Sequence, residues 1–139
     1  MPIPPEIQAF ATGFPLVLLH AAVTLAFLVA GGFLYGLLTP HREVQLIREG
    51  NAAAALSFGG VVAGLALPLA ASLAASTSLI EVALWGAVVL VVQLLAFRLI
   101  DMLLAGLPQR IRENDVAATG LLVTAKLSVA LVFSAALFG

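Results

Sequence analysis

The sequence predicts an all-α integral membrane protein, with four transmembrane helices as two parallel-repeat helical hairpins. Three observations predict it. Hydrophobic residues make up 63% of the 139 and charged residues 9%, at a mean hydropathy of +1.18, whereas soluble domains sit near about 45–50% and about 25%. The few charges leave apolar gaps long enough to cross a bilayer. Segments 64 residues apart resemble each other. Six Lys+Arg and seven Asp+Glu do not furnish a water-facing surface, which excludes an ordinary soluble enzyme and a disordered protein. The net charge of -1 offers no basic face for nucleic acid. With no cysteine there is no disulfide frame, thiolate nucleophile or cysteine metal site.

Each element follows from the charge gaps, because a helix crossing the hydrocarbon core needs about 20 mostly apolar residues. No residue between Glu6 and His41 is formally charged at neutral pH, and the next gap runs from Glu49 to Glu81. The first helix is expected over Ala11 to Leu38 and the second over Asn51 to Ala71. The run Ala74-Ala75-Ser76-Thr77-Ser78 reads as a turn, a third helix as Leu79 to Leu104, and a fourth as Val116 to Phe138. The whole chain, 1–139, is one transmembrane domain, with one repeat near 11–71 and the other near 79–138. Met1 to Glu6, with three prolines, reads as an extended leader, and the absence of Lys or Arg before Arg42 argues against a secretory signal.

Orientation follows from the cations. Arg42 and Arg48 lie in the first link, Arg110 and Arg112 in the third, and Arg98 just inside it. The positive-inside rule puts these links in the cytoplasm and both termini outside.

In the 64-residue comparison Ile47-Arg48-Glu49-Gly50-Asn51 falls on Ile111-Arg112-Glu113-Asn114-Asp115. Two spans per half preserve direction, so the halves are expected to be parallel repeats about an axis along the membrane normal. Asn51 and Asp115 stand where helices start, and their side chains can cap free backbone N–H groups. The first link, His41 to Gly50, suits a short helix on the inner surface, with Thr39-Pro40 ending the preceding one. His41 and Glu43 are two possible metal ligands, too few for a site.

The run Tyr35 to Asn51 (YGLLTPHREVQLIREGN), followed by Gly59-Gly60, Gly64, Pro68-Leu69, Trp85-Gly86 and Gln93-Leu94, resembles the small inner-membrane proteins of domain of unknown function 350, the YjfL-like family. The resemblance covers almost the whole chain. It implies four spans in two similar halves and a bacterial inner-membrane location, and supplies no activity. The chain departs from the family pattern at Ser134-Ala135-Ala136-Leu137, where an Asn- and Cys-containing motif is usual, and at Lys126, where a small or apolar residue is expected.

Soluble-enzyme signatures, phosphate loops and cofactor motifs are absent from the sequence, so the chain is not expected to be an enzyme or to hold a cofactor or metal. Gly60 and Gly64 form a Gly-x-x-x-Gly suited to close helix packing, and Pro68 is expected to kink that helix. Ionisable groups inside spans are the sharpest functional signal in a membrane protein. Arg98 and Asp101, three apart, read as an interfacial ion pair. His20 reads either as a buried His bonded to a carbonyl or Ser, or as a functional group, while Gln93 and Thr124 read as interhelical hydrogen-bonding residues. Lys126 is the outlier. It lies eleven residues past Asp115, on the order of 16 Å into a core of roughly 30 Å, where a cation costs at least about 2.5–3.5 kcal/mol. No carboxylate is expected at its depth. Carbonyls freed by Pro68, a wet cavity, an oligomer axis or snorkelling towards the outer surface are the alternatives. The leading expectation is a small inner-membrane protein that self-assembles or serves another membrane protein. The alternative is a channel or small-solute transporter with a pore at the bundle or at an oligomer axis.

Overall fold

The computed structural model describes residues 1–39 and 42–138. Five α-helices follow one another: α1 Pro5–Leu38, α2 Glu43–Arg48, α3 Ala52–Ala75, α4 Leu79–Leu103 and α5 Val116–Phe138, with a 3-10 turn at Pro108–Ile111 before α5. All but α2 are long and apolar enough to cross a membrane. No strand occurs among the described residues.

The links show why the helices stop and restart where they do. Gly50 (φ 89°) and Asn114 (φ 58°) both take the left-handed conformation that glycine and asparagine tolerate best. Behind each, a reaching bond closes the turn: Asn51 N donates to Leu46 O at 2.9 Å, and Asp115 N to Arg110 O at 3.1 Å. Satisfying the last free carbonyls this way is a Schellman ending. The next residue then caps the following helix. Asn51 Oδ1 accepts from Ala54 N at 2.9 Å, and Asp115 Oδ1 from Ala118 N at 3.1 Å. The two links are also tied together, since Asn51 Nδ2 donates to Ile111 O at 2.7 Å and Ala53 N to Asn114 Oδ1 at 3.0 Å. At the other end of the bundle Ser78 Oγ accepts from Glu81 N, and Glu81 Oε2 accepts from Thr77 N at 2.8 Å.

The centre of the bundle is α3, which packs most extensively against α5 and also meets α1, α2 and α4. Missing side chains permit this. A Cβ on Gly60 would stand 2.5 Å from Val123 of α5, and one on Gly64 2.8 Å from Phe97 of α4. Gly31 of α1 similarly lies against Leu65 and Leu90, and Gly86 of α4 against Phe27. Lipid provides no hydrophobic drive between helices, so close van der Waals approach of this kind holds them. Tyr35, Val61, Leu65, Phe97 and Leu122 form the buried core.

Two boundaries depart from the sequence reading. Residues 1–6 are not wholly an extended leader, because α1 already starts at Pro5; proline fits the first helical turn, where no N–H is required. The second spanning helix continues through Pro68 to Ala75 and ends at Ser76, whose hydroxyl donates to Ser72 O at 2.7 Å; residues 72–75 carry no helix-breaking residue. Pro40 and His41, to which the helix stop and the possible metal pair were assigned, lie outside the described residues.

The first helix is much longer than its neighbours. Its 34 residues extend about 51 Å, against about 35–38 Å for the other three spanning helices. Gly31 faces Leu90 and Phe27 faces Gly86, the same offset of 59 in both contacts, which sets His20 level with Leu79, where α4 begins. Pro5 to Leu19 therefore run on beyond the bundle, and Ile7, Phe10, Phe14 and Leu16 to Leu19 are all exposed.

Candidate functional site

A buried ionic cluster closes the end of the bundle that carries α2 and the third link. Its centre is Lys126, only 1% exposed. The ammonium lies 2.8 Å from Asp101 Oδ1 and donates to Tyr35 Oη at 2.7 Å. The Tyr35 ring centroid is 4.9 Å away and that of Phe97 5.8 Å. With the tyrosine oxygen so close, the first of these is an approach to the hydroxyl edge, so Phe97 supplies the aromatic face. Arg98 reaches the other oxygen of Asp101 at 3.9 Å from the half-exposed rim.

Helix geometry explains how residues so far apart along their spans meet. Every helical Cβ tilts towards the N-terminus of its own helix. On α4 that direction points from Asp101 into the bundle. On α5, which runs the opposite way, it points from Lys126 back towards the link. The two side chains lean towards each other, and the four-carbon lysine stem covers the remaining distance. This corrects the expectation that no carboxylate shares the depth of Lys126. The carbonyls freed by Pro68 are not its partners, and it does not turn to the opposite surface, because its stem follows the tilt of Cβ.

A second carboxyl lies beside this pair. Glu43, the first residue of α2, is 4% exposed and accepts from Ser57 Oγ at 2.8 Å through Oε1. Its Oε2 has no hydrogen-bond partner. Burial pushes its pKa above the ordinary carboxylate value, Asp101 adds to that, and the Ser57 hydroxyl and Lys126 oppose it. The sequence reading named Glu43 only as a possible metal ligand within a short helix on the inner surface. Its spacing of three and four from the half-buried Leu46 and Ile47 is the signal that it turns inward with them. Tyr35 and Ser57 were also missed, since a lone Tyr or Ser in an apolar span carries no charge to mark it.

The remaining expected positions fall elsewhere. Gln93 is fully buried in the bundle and neither amide atom has a hydrogen-bond partner, so it is not an interhelical bond in this arrangement. Thr124 bonds within its own helix, to Gly120 O at 2.8 Å. His20 is half-buried at the far end, with Nε2 unpartnered. His20 and Gln93 therefore do not join Lys126, whereas Arg98 and Asp101 do. Asn51 and Asp115 act as caps within the links, and Asp115 also meets Arg110 at 3.5 Å. Among the described residues no three His, Asp or Glu side chains gather as metal ligands.

The fold and this cluster define a small multi-pass helical membrane protein with a lysine–aspartate pair inside one end of the bundle. The chain belongs to the family described as Domain of Unknown Function (DUF350), which matches residues 9–137. It is 35% identical over 96 residues to the UPF0719 inner membrane protein YjfL of Escherichia coli (strain K12), covering 69% of this chain and 73% of that one. The protein of the same name from Escherichia coli O157:H7 matches to the same extent. No solved structure matches the chain. It is thus a multi-pass inner-membrane protein of a family to which no specific activity is attached.

Proposed function

We propose that the chain is a self-assembling inner-membrane protein rather than an enzyme, and that copies of it, or one copy and another membrane protein, meet along the N-terminal half of α1. One observation carries this reading. Pro5 to Leu19 form about four turns of mostly apolar helix whose large apolar side chains are all exposed. If the bundle is centred in the bilayer, this arm extends on the order of 22 Å past it, and exposed apolar surface there requires cover. The buried cluster then fixes helix register at the other end. The duplication fits the same reading: both links carry a left-handed residue, the same reaching bond and the same cap at positions 64 apart. Both termini are assigned to the outside, on the strength of the arginines in the first and third links.

The chain has no cysteine, so single Cys substitutions test the contact directly. In native membranes, Phe14→Cys and Leu18→Cys should cross-link into dimers, or to a single partner of other mass, while Leu99→Cys on α4 should not. Equal cross-linking at all three positions, or none, would overturn the proposal.

A second reading, proton or ion exchange through the cluster, is favoured by Gln93. A fully buried amide without partners is costly unless water reaches it. Lys126→Met should then abolish a pH-driven flux in proteoliposomes; an absence of flux in the wild-type chain removes this reading.

A further inference from the structure

Beside the ionic cluster, on the outer surface of the bundle, α1, α2 and α3 enclose a groove of about 550 Å³. That lies within the range of small-molecule sites, about 300–1,000 Å³. Its floor is the trough left on α1 by Gly32 and Gly36, one helical turn apart. Packing within the chain accounts for Gly31, Gly60, Gly64 and Gly86, where an added Cβ would strike a neighbour. It does not account for Gly36, where a Cβ would meet nothing within 4 Å, and at Gly32 only Phe58 stands at 3.8 Å. The apolar walls are Phe33, Leu37 and Phe58, the first two about two-thirds exposed.

The polar rim of the groove has an uneven chemistry. Arg42 and Arg48, at the two ends of α2, line it. Neither is ion-paired among the described residues, in contrast to Arg98 and Arg110. Glu43 also lines it, more than nine-tenths buried, with Oε2 unpartnered. The rim therefore offers two cations directly above an apolar trough at the level where a spanning helix ends, with the buried Glu43 carboxyl behind them.

We propose that this groove is a binding site for a phosphatidylglycerol-type lipid: an anionic glycerophospholipid whose phosphate meets Arg42 and Arg48 and whose acyl chain lies in the Gly32–Gly36 trough. Charge complementarity selects the occupant. Basic pockets between helices at the membrane surface attract anionic headgroups. A free phosphate would leave the apolar trough unfilled. A zwitterionic lipid would bring no net charge to the two arginines.

The test uses the full chain purified in a neutral detergent, titrated with phosphatidylglycerol, phosphatidylethanolamine and phosphatidylcholine of identical acyl chains, with binding read by native mass spectrometry. Phosphatidylglycerol should bind about tenfold or more tightly than either zwitterionic lipid. Arg42→Gln/Arg48→Gln should remove that preference. Gly36→Leu places a side chain in the trough, where its Cβ would meet nothing within 4 Å, and should weaken all three lipids while leaving the lipid-free melting temperature unchanged. Equal binding of the three lipids to the wild-type chain would overturn the proposal, as would tighter binding of phosphatidylethanolamine. So would a phosphatidylglycerol preference that survives the double arginine variant, whatever the behaviour of Gly36→Leu.

Discussion

Removing one member of the Lys126–Asp101 pair should cost far more on one side than on the other. At 2.8 Å the gross attraction is about 6 kcal/mol at an effective dielectric of about 20, much of it offset by the desolvation of two buried charges. Breaking such a pair from one side commonly costs about 3–5 kcal/mol, while removing both charges is often neutral. Asp101→Asn leaves the lysine, 1% exposed, with a tyrosine oxygen, a ring face and the Glu43 carboxyl, whose burial favours its neutral form, so a loss of about 3–5 kcal/mol is expected. Lys126→Met leaves Asp101 with Arg98 still at 3.9 Å and some contact with the rim, so about 1–2 kcal/mol is expected, below the fully buried case. The double variant Lys126→Met/Asp101→Asn should return to within about 1 kcal/mol of the wild type. Reversible unfolding in mixed micelles, followed by circular dichroism across a denaturant series, gives the four free energies of the cycle. Equal losses for the two single variants would refute the asymmetry, and a double variant as unstable as Asp101→Asn would refute the pairing itself.

The other expectations concern packing, the link and pH. Gly60→Leu should cost about 1–3 kcal/mol or more through overpacking against Val123, whereas Gly59→Leu, whose Cβ would meet nothing within 4 Å, should leave the melting temperature nearly unchanged; similar melting temperatures for both would contradict the packing argument. Asn51→Ala removes both the cap and the bond to Ile111, for about 1–2 kcal/mol, and Asn51→Asp should recover only the part due to the cap; full recovery would show that the cross-link between the two links contributes nothing. Because burial raises the pKa of Glu43 in the folded protein, the folded state holds that proton more tightly than the unfolded chain does. Its contribution is full below the unfolded value and is lost as pH climbs through the folded one. The melting temperature should therefore fall across that window in the wild type and fall less in Glu43→Gln, as measured by thermal denaturation at a series of pH values; an identical pH dependence would place Glu43 in water.

The spans were legible because a bilayer imposes a length and forbids charge, and both constraints are written residue by residue. The gaps from Glu6 to His41, from Glu49 to Glu81 and beyond Glu81 therefore locate α1, α3 and α4 to within a few residues, apart from the start of α1 and the last turn of α3. The site was legible only in its parts. Lys126, Arg98 and Asp101 stand out as ionisable groups in apolar sequence, yet axial position along each helix separates Lys126 from Asp101. What joins them is the tilt of Cβ on two oppositely directed helices, which brings both side chains to one level. Position along a spanning helix marks where a backbone sits. For a long side chain, the polar atom lies up to a turn or more towards the N-terminus of its helix. Depth arguments from sequence therefore misplace lysine most and alanine least. Glu43 fails for a different reason. Its helix has only six residues, so its spacing from Leu46 and Ile47 is a single helical turn of pattern, too little to single out one inward carboxyl among outward polar residues. The same six residues present Arg42 and Arg48 to the groove and Glu43 to both groove and cluster. A lipid seated there would thus act on α2 and, through Glu43, on the charge balance around Lys126, while meeting the spanning helices at Gly32, Phe33, Gly36, Leu37 and Phe58.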